Sequence, residues 1–261
     1  MSDEPVAHAL SGLRMLVPRA PDRGDGLRLL IEALGGEARC VPALDIVPIT
    51  NASAVQQQLG ETGDLDAAVF TSVNAVTYWF ALTGVPRLPR TVFGVGSATV
   101  DALGQHGVAA RAPQRQDSEG LLAESELLGA SSVLLLTGEG GRGALRERLD
   151  QTTRLIVIEL YRRRPGAALP ARLTSIADWV NVVLAPSAET YTALIQCDAQ
   201  IGRRLLGCPV VAPSERVIQH IRTLGSNAPA WLAAPFGDAA VLEALRAHWV
   251  QPPNQCARDD D

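Results

Sequence analysis

The residue best suited to acid chemistry in this chain is Tyr161, set in Leu160-Tyr161-Arg162-Arg163-Arg164-Pro165 at the end of a β-rich apolar run. A phenol ordinarily titrates at about pH 10, so at neutral pH it holds a proton that it can donate to a leaving hydroxyl. The same ring can serve as a strand anchor, and the residues leave both roles open. A second chemistry, anion binding, belongs to small polar turns at Thr71-Ser72, Gly96-Ser97, Gly138-Glu139-Gly140-Gly141-Arg142, Pro186-Ser187 and Pro213-Ser214. Each is predicted to join a strand to a helix, where unsatisfied amides at the helix start attract anions. Capping alone explains any one of them; facing pairs in two lobes would line a cleft suited to a polyanion. Arg142 has the fork geometry to hold a carboxylate, and Arg162, Arg163 and Arg164 read either as a solvated strand end or as contributors to that cleft.

Other chemistries are excluded. All 23 basic residues are arginine, so the chain can form no Schiff base and no lysine-bearing phosphate loop. The four cysteines (Cys40, Cys197, Cys208, Cys256) and four histidines (His8, His106, His220, His248) are dispersed without metal-ligand spacing. No metal and no cofactor are expected. Gly94-Val95-Gly96-Ser97-Ala98-Thr99 is half of a dinucleotide fingerprint, with threonine at the third glycine position and no acidic strand end to follow. A net charge of −5 argues against nucleic acid as a partner. No apolar run approaches the ~20 residues that span a bilayer, and the Met-Ser-Asp-Glu start lacks signal-peptide features. A cytoplasmic protein without membrane contact is expected.

The elements that must position these residues alternate. Apolar runs at Gly12–Arg19, Leu65–Phe70, Thr91–Val95, Val108–Arg111, Ser132–Leu136, Val180–Leu184, Cys208–Ala212 and Trp231–Pro235 read as strands. Between them lie helical patterns, including 24–34 with Leu27, Leu30, Ile31 and Leu34 on one face, 98–106, and 118–128. Asp238 is predicted to cap a final helix through Trp249. Strand–helix alternation means parallel sheets covered on both faces. The segment Val69-Phe70-Thr71-Ser72-Val73-Asn74-Ala75 repeats as Val182-Val183-Leu184-Ala185-Pro186-Ser187-Ala188. The second half lacks one β-α unit, which the first 35 residues can supply. The expected fold class is α/β, with two parallel-sheet lobes joined by a two-stranded β ladder. The expected boundaries are 1–39 plus 166–250 for a discontinuous lobe, 51–154 for an inserted lobe, 40–50 and 155–165 for the connector, and 251–261 for a disordered tail. Tyr161 then falls at the hinge, where a cleft between lobes would open.

An ordered set of these motifs resembles the uroporphyrinogen-III synthase family. It comprises Val17-Pro18-Arg19 with its helix, Phe70-Thr71-Ser72 with Asn74-Ala75-Val76, Val95 to Thr99, Ser118-Glu119-Gly120-Leu121-Leu122, Gly138 to Arg142, and Tyr161-Arg162-Arg163. The resemblance implies flavodoxin-like lobes and a cytosolic, cofactor-free monomer of tetrapyrrole biosynthesis, serving haem, sirohaem or cobalamin. Its substrate would be hydroxymethylbilane, a linear polycarboxylate tetrapyrrole, with a transient hand-over from hydroxymethylbilane synthase as an option. Water would leave, a spiro intermediate would form through ring D, and closure would give uroporphyrinogen III with ring D inverted. The resemblance makes Tyr161 the catalytic acid. It makes Arg19, Ser72, Asn74, Gly96, Ala98, Thr99, Gly138, Arg142, Ser187 and Ser214 substrate-binding, the last two through their amides. Ala185 and Val217 depart from the serine and threonine frequent in the family. A non-catalytic, two-lobed tetrapyrrole-binding protein is the alternative.

Overall fold

A computed structural model of the protein describes residues 8–84, 88–141 and 143–250. The tail 251–261 and Arg142 lie outside the described residues. The strands, in chain order, are β1 (Arg14–Val17), β2 (Glu37–Cys40), β3 (Leu44–Pro48), β4 (Ala67–Phe70), β5 (Thr91–Gly94), β6 (Ser132–Gly138), β7 (Arg154–Pro165), β8 (Val182–Leu184), β9 (Val210–Ala212) and β10 (Ala230–Leu232). The helices are α1 (Pro21–Glu32), α2 (Ala52–Gly60), α3 (Val73–Thr83), α4 (Ser97–Gln105), α5 (Ser118–Leu121), α6 (Ser125–Leu128), α7 (Gly143–Asp150), α8 (Leu169–Thr174), α9 (Ala188–Gln196), α10 (Ala199–Leu206), α11 (Glu215–Thr223) and α12 (Asp238–His248). Contacts divide the chain into two compact units, Met1–Asp45 with Arg164–Asp261, and Ile46–Arg163.

In the first unit five strands run in the order β10-β9-β8-β1-β2, with every neighbouring pair parallel. Thus β1 of the first β-α unit lies between β8 and β2. Alternation along each strand sorts its residues onto two faces. Met15, Val17, Val182, Leu184 and Val211 join one buried cluster with Leu27, Ile31 and Leu245. Leu16, Val183, Val210 and Ala212 join another with Leu173, Leu194 and Leu205. Full burial of each such aliphatic side chain contributes ~1.5–3 kcal/mol, so helices must cover both faces of the sheet. Four turns sit at strand carboxyl ends here, before α1, α9, α11 and α12.

The second unit repeats the plan. Its sheet runs β3-β7-β6-β4-β5, and β7, β6, β4 and β5 are mutually parallel. Ala68, Phe70, Leu134, Leu136, Ile156, Ile158 and Leu160 face one cluster, while Ala67, Val69, Phe93, Val133 and Leu135 face the other. The β3–β7 pair runs antiparallel: Gly166 N donates to Ala43 O and Ile49 N to Leu160 O, so one register falls as the other rises.

Several elements differ from expectation, each for a local reason. Cys40 ends β2, paired to Val17 of β1, rather than starting a connector. Residues 154–161 pair with β6, so the first two thirds of β7 form a sheet strand. Residues 108–111 form only the single bridge Phe93–Arg111. The 118–128 helix is broken into α5 and α6, and Asp117, not Ser118, caps α5 through Gly120 N. Leu30, expected in the core, is 43% exposed, because the buried line of α1 runs through Gly24, Leu27 and Ile31 and leaves that position to one side. Gly237, not Asp238, is the N-cap of α12, with no side-chain bond; Asp238 is engaged by an arginine instead.

α8 and α10 were missed. For α10 the signal is present, with Asp198 as the cap and Ile201 and Leu205 at i, i+4 spacing. The Asp198 carboxylate accepts the amide hydrogens of Gln200 at 2.8 Å and Ile201 at 3.0 Å. These bonds, the Ile201 one foremost, hold its carboxyl below the usual range. A depressed folded-state pKa contributes stability above the ordinary aspartate pKa, lost as pH falls through the depressed one. Asp198→Asn is therefore expected to flatten that part of the stability–pH curve, measured by urea unfolding between pH 6 and pH 2.

Candidate active site

β6 and β7 bring the acid candidate to the carboxyl end of the second unit's sheet. The parallel register slips by one residue between Thr137 and Gly138, where Gly138 comes opposite Tyr161. This irregularity is consequential. Strict alternation would send Leu160 and Tyr161 to opposite faces, yet both belong to the same buried cluster. Tyr161 is 2% exposed, stacked on Tyr78 with ring centroids 5.8 Å apart. Tyr78 is itself fixed by its hydroxyl donating to Ile46 O at 2.8 Å. Gly138 lies against the ring so closely that a Cβ there would stand 2.6 Å from Tyr161 Cε2 and Cζ. Glu139 N donates to Tyr161 O at 2.7 Å, closing the turn over the tyrosine. The site therefore holds a buried phenol.

Its hydroxyl meets Ser72 Oγ at 2.9 Å. Ser72 follows β4 and is the N-cap of α3, accepting from Ala75 N at 3.1 Å. Arg163 Nη2 lies 3.4 Å from the same phenol oxygen, with its guanidinium 5.7 Å from the ring centroid. Arg162 points elsewhere, bonded to Glu139 at 2.8 Å. Thr71 and Thr137 tie the ends of β4 and β6 together through their hydroxyls at 3.0 Å. Asn74 stands in the first turn of α3, half-buried.

On the neighbouring strand, β5 leads to Gly96, the N-cap of α4, with no side chain to satisfy the helix start. Gln116 supplies one: its Oε1 accepts from Ser97 N at 2.9 Å. A Cβ at Gly96 would come within 3.0 Å of that oxygen. Ala98 is exposed, whereas Thr99 is 4% exposed. This turn thus offers backbone and Ala98 to a ligand, and the Thr99 side chain stays inside.

In the first unit, Ser187 caps α9 by accepting from Thr190 N at 3.1 Å, and Ser214 caps α11 through Val217 N at 3.4 Å. Both serines are half-buried. Ala185 and Val217 are buried, which leaves their side chains no contact with a ligand. Arg19 follows β1 and binds Asp238 at the start of α12, with Nη1–Oδ1 at 2.8 Å; Phe236 lies under its guanidinium, 5.5 Å away.

Comparison with known proteins adds the deciding observation. The uroporphyrinogen-III synthase HemD family model matches residues 25–231, which is most of the chain. The protein belongs to the uroporphyrinogen-III synthase family. The fold agrees with solved members. A mutant uroporphyrinogen III synthase from the extremely thermophilic bacterium Thermus thermophilus is 16% identical, aligns over 90% of this chain and 99% of its own, and has a TM-score of 0.57. The uroporphyrinogen-III synthetase from Helicobacter pylori is 12% identical, over 90% and 98%, with a TM-score of 0.58.

Within this family member, Ser72, Gly138 and Tyr161 come together directly, and Gly96, Ala98 and Thr99 stand one strand away from Ser72. Sequence reasoning missed Tyr78 and Gln116, and read Asp238 as a helix cap rather than as the partner of Arg19. Tyr78 sits one helical turn plus two residues beyond Ser72 and read only as part of a helix. Gln116 and Asp238 act across long sequence separations that no local pattern marks.

Proposed function

We propose that this protein cyclises hydroxymethylbilane to uroporphyrinogen III, with loss of water and inversion of ring D. The observation that carries the reading is the family match over residues 25–231. The demands of the chemistry are modest. The reaction is a dehydration and a rearrangement without net redox change, so one proton donor and firm seating of the substrate suffice, without a cofactor.

Tyr161 is the source of the proton, beside Ser72 and Arg163. Seating falls to Ser72, Asn74, Gly96, Ala98 and Gly138, to the backbone at Thr99, and to the Arg142 guanidinium. In the first unit it falls to the helix-start amides at Ser187 and Ser214 and to Arg19. A substrate carboxylate reaching Arg19 would exchange with Asp238, an aspartate still 34% exposed. The enzyme acts as a monomer in the cytoplasm and takes its substrate by transient hand-over from hydroxymethylbilane synthase. That setting fits a chain in which no described helix is long and apolar enough to cross a membrane.

Hydroxymethylbilane closes spontaneously to the type I isomer, so the product distinguishes catalysis from background. Purified protein is expected to yield the type III isomer, separated chromatographically from type I. Only type I at the uncatalysed rate, together with tight binding of the tetrapyrrole, would make the protein a binding module.

A further inference from the structure

Tyr161 is 2% exposed and clamped between Tyr78 and Gly138, so its hydroxyl is poorly placed to meet a substrate itself. Arg163 can only donate, so the phenol oxygen accepts from Nη2 at 3.4 Å, while the 2.9 Å bond to Ser72 Oγ can be donated by either hydroxyl. The Ser72 oxygen also accepts from Ala75 N at 3.1 Å. In the arrangement where the phenol donates, both Ser72 lone pairs are engaged and its own O–H is what it can offer, on a residue that is half-buried rather than enclosed.

We propose that the Ser72 hydroxyl is the group that protonates the leaving hydroxyl of the substrate, and that Tyr161 acts through it as the proton reservoir, with Arg163 behind. The proposal rests on the reading of this chain as the cyclising enzyme. As the substrate C–O bond breaks, the Ser72 proton passes to the departing oxygen, which leaves as water. The bonding pair leaves with that oxygen, and the pyrrole nitrogen lone pair compensates the carbon, forming the azafulvene cation. In the same event the Tyr161 proton moves to Ser72 Oγ, and the resulting phenolate lies beside the Arg163 guanidinium. When ring closure is completed, the proton released on restoring the aromatic pyrrole returns through Ser72 to Tyr161. No proton is gained or lost over the cycle, and no oxidant or reductant is used. Ser72 is then the catalytic residue in contact with substrate, and Tyr161 and Arg163 are positioning residues for its proton.

The test separates relay from helix capping. Ser72→Asn keeps an oxygen to accept from Ala75 N but cannot pass a proton on; Ser72→Thr keeps both functions. Type III formation by Ser72→Thr is expected within about threefold of the parent. Loss of general acid catalysis costs ~10²–10⁴-fold, and Ser72→Asn and Tyr161→Phe are each expected to lose turnover on that scale. The double variant should be no worse than either single one, because the two act as a unit. A solvent proton inventory on the unmodified enzyme, which does not depend on any variant folding, should show two protons in flight, falling to one in Tyr161→Phe.

Parent-like turnover by Ser72→Asn with loss in Tyr161→Phe would overturn the relay, since the phenol would then act directly. So would multiplicative losses in the double variant, or a one-proton inventory in the parent. Each of these outcomes leaves type III formation by the parent intact, whereas failure of the cyclase reading would appear as its absence.

Discussion

Gly138→Ala is expected to remove nearly all type III formation and to destabilise the second unit. A Cβ at this position would stand 2.6 Å from two ring atoms of Tyr161 and 2.9 Å from its hydroxyl. The ring has little room to retreat, because Tyr78 stacks on it 5.8 Å away and the residue is already buried. Either Tyr161 moves, breaking the 2.9 Å bond to Ser72, or β6 and β7 separate where their register already slips. Overpacking of this kind costs ~1–3 kcal/mol, and misplacing a catalytic group by ~1 Å costs ~10²-fold in rate. Urea unfolding and isomer chromatography measure the two effects. The double variant Gly138→Ala/Tyr161→Leu removes the ring and should regain much of the lost stability without regaining turnover. Parent-like turnover in Gly138→Ala would show that the placement of Tyr161 does not govern the rate.

Gly202→Ala should destabilise the first unit while leaving turnover per folded molecule unchanged. Helix propensity alone argues the other way, because alanine within a helix is favoured over glycine by ~1 kcal/mol. Gly202, however, lies in α10 where that helix packs on α9, and a Cβ would land on the carbonyl oxygen of Ile195. Backbone cannot swing aside as a long side chain can, so overpacking at ~1–3 kcal/mol outweighs propensity. Gly104 in α4 is the control. It has nothing within 4 Å of an added Cβ and no positive φ, so Gly104→Ala should gain ~0.4–1 kcal/mol. Opposite signs for the two in urea unfolding are the expected result; stabilisation by both would mean that α9 and α10 separate at little cost.

Much of the fold was legible because sheets buried on both faces write themselves into the chain as short apolar runs. Ala67–Phe70 and Val182–Leu184 are buried at every position, and both lead into a serine that caps the following helix, as their repeated letters suggest. Short pieces were less visible. β2, Glu-Ala-Arg-Cys, buries only one residue fully, so its pattern resembles a loop. α8 offers just Leu169 and Leu173 as a buried pair. The candidate site was legible residue by residue, but not as an arrangement.

Tyr161 shows where that boundary lies. Residue order alone marks a phenol at the end of an apolar strand, a serine after another strand, and an alternating α/β plan that sends both to strand carboxyl ends. Local chemistry suffices for that, because hydrophobic period and cap preference act over a few residues. Which way the tyrosine faces is set by the pairing of two strands. One register slip between β6 and β7 places Leu160 and Tyr161 in the same cluster, and a glycine 23 residues earlier leaves room for the ring. A register is a property of two strands together, and no pattern within either one records it. That is why the letters leave open whether Tyr161 is an acid or a strand anchor, and the strand pairing buries it with its hydroxyl beside Ser72.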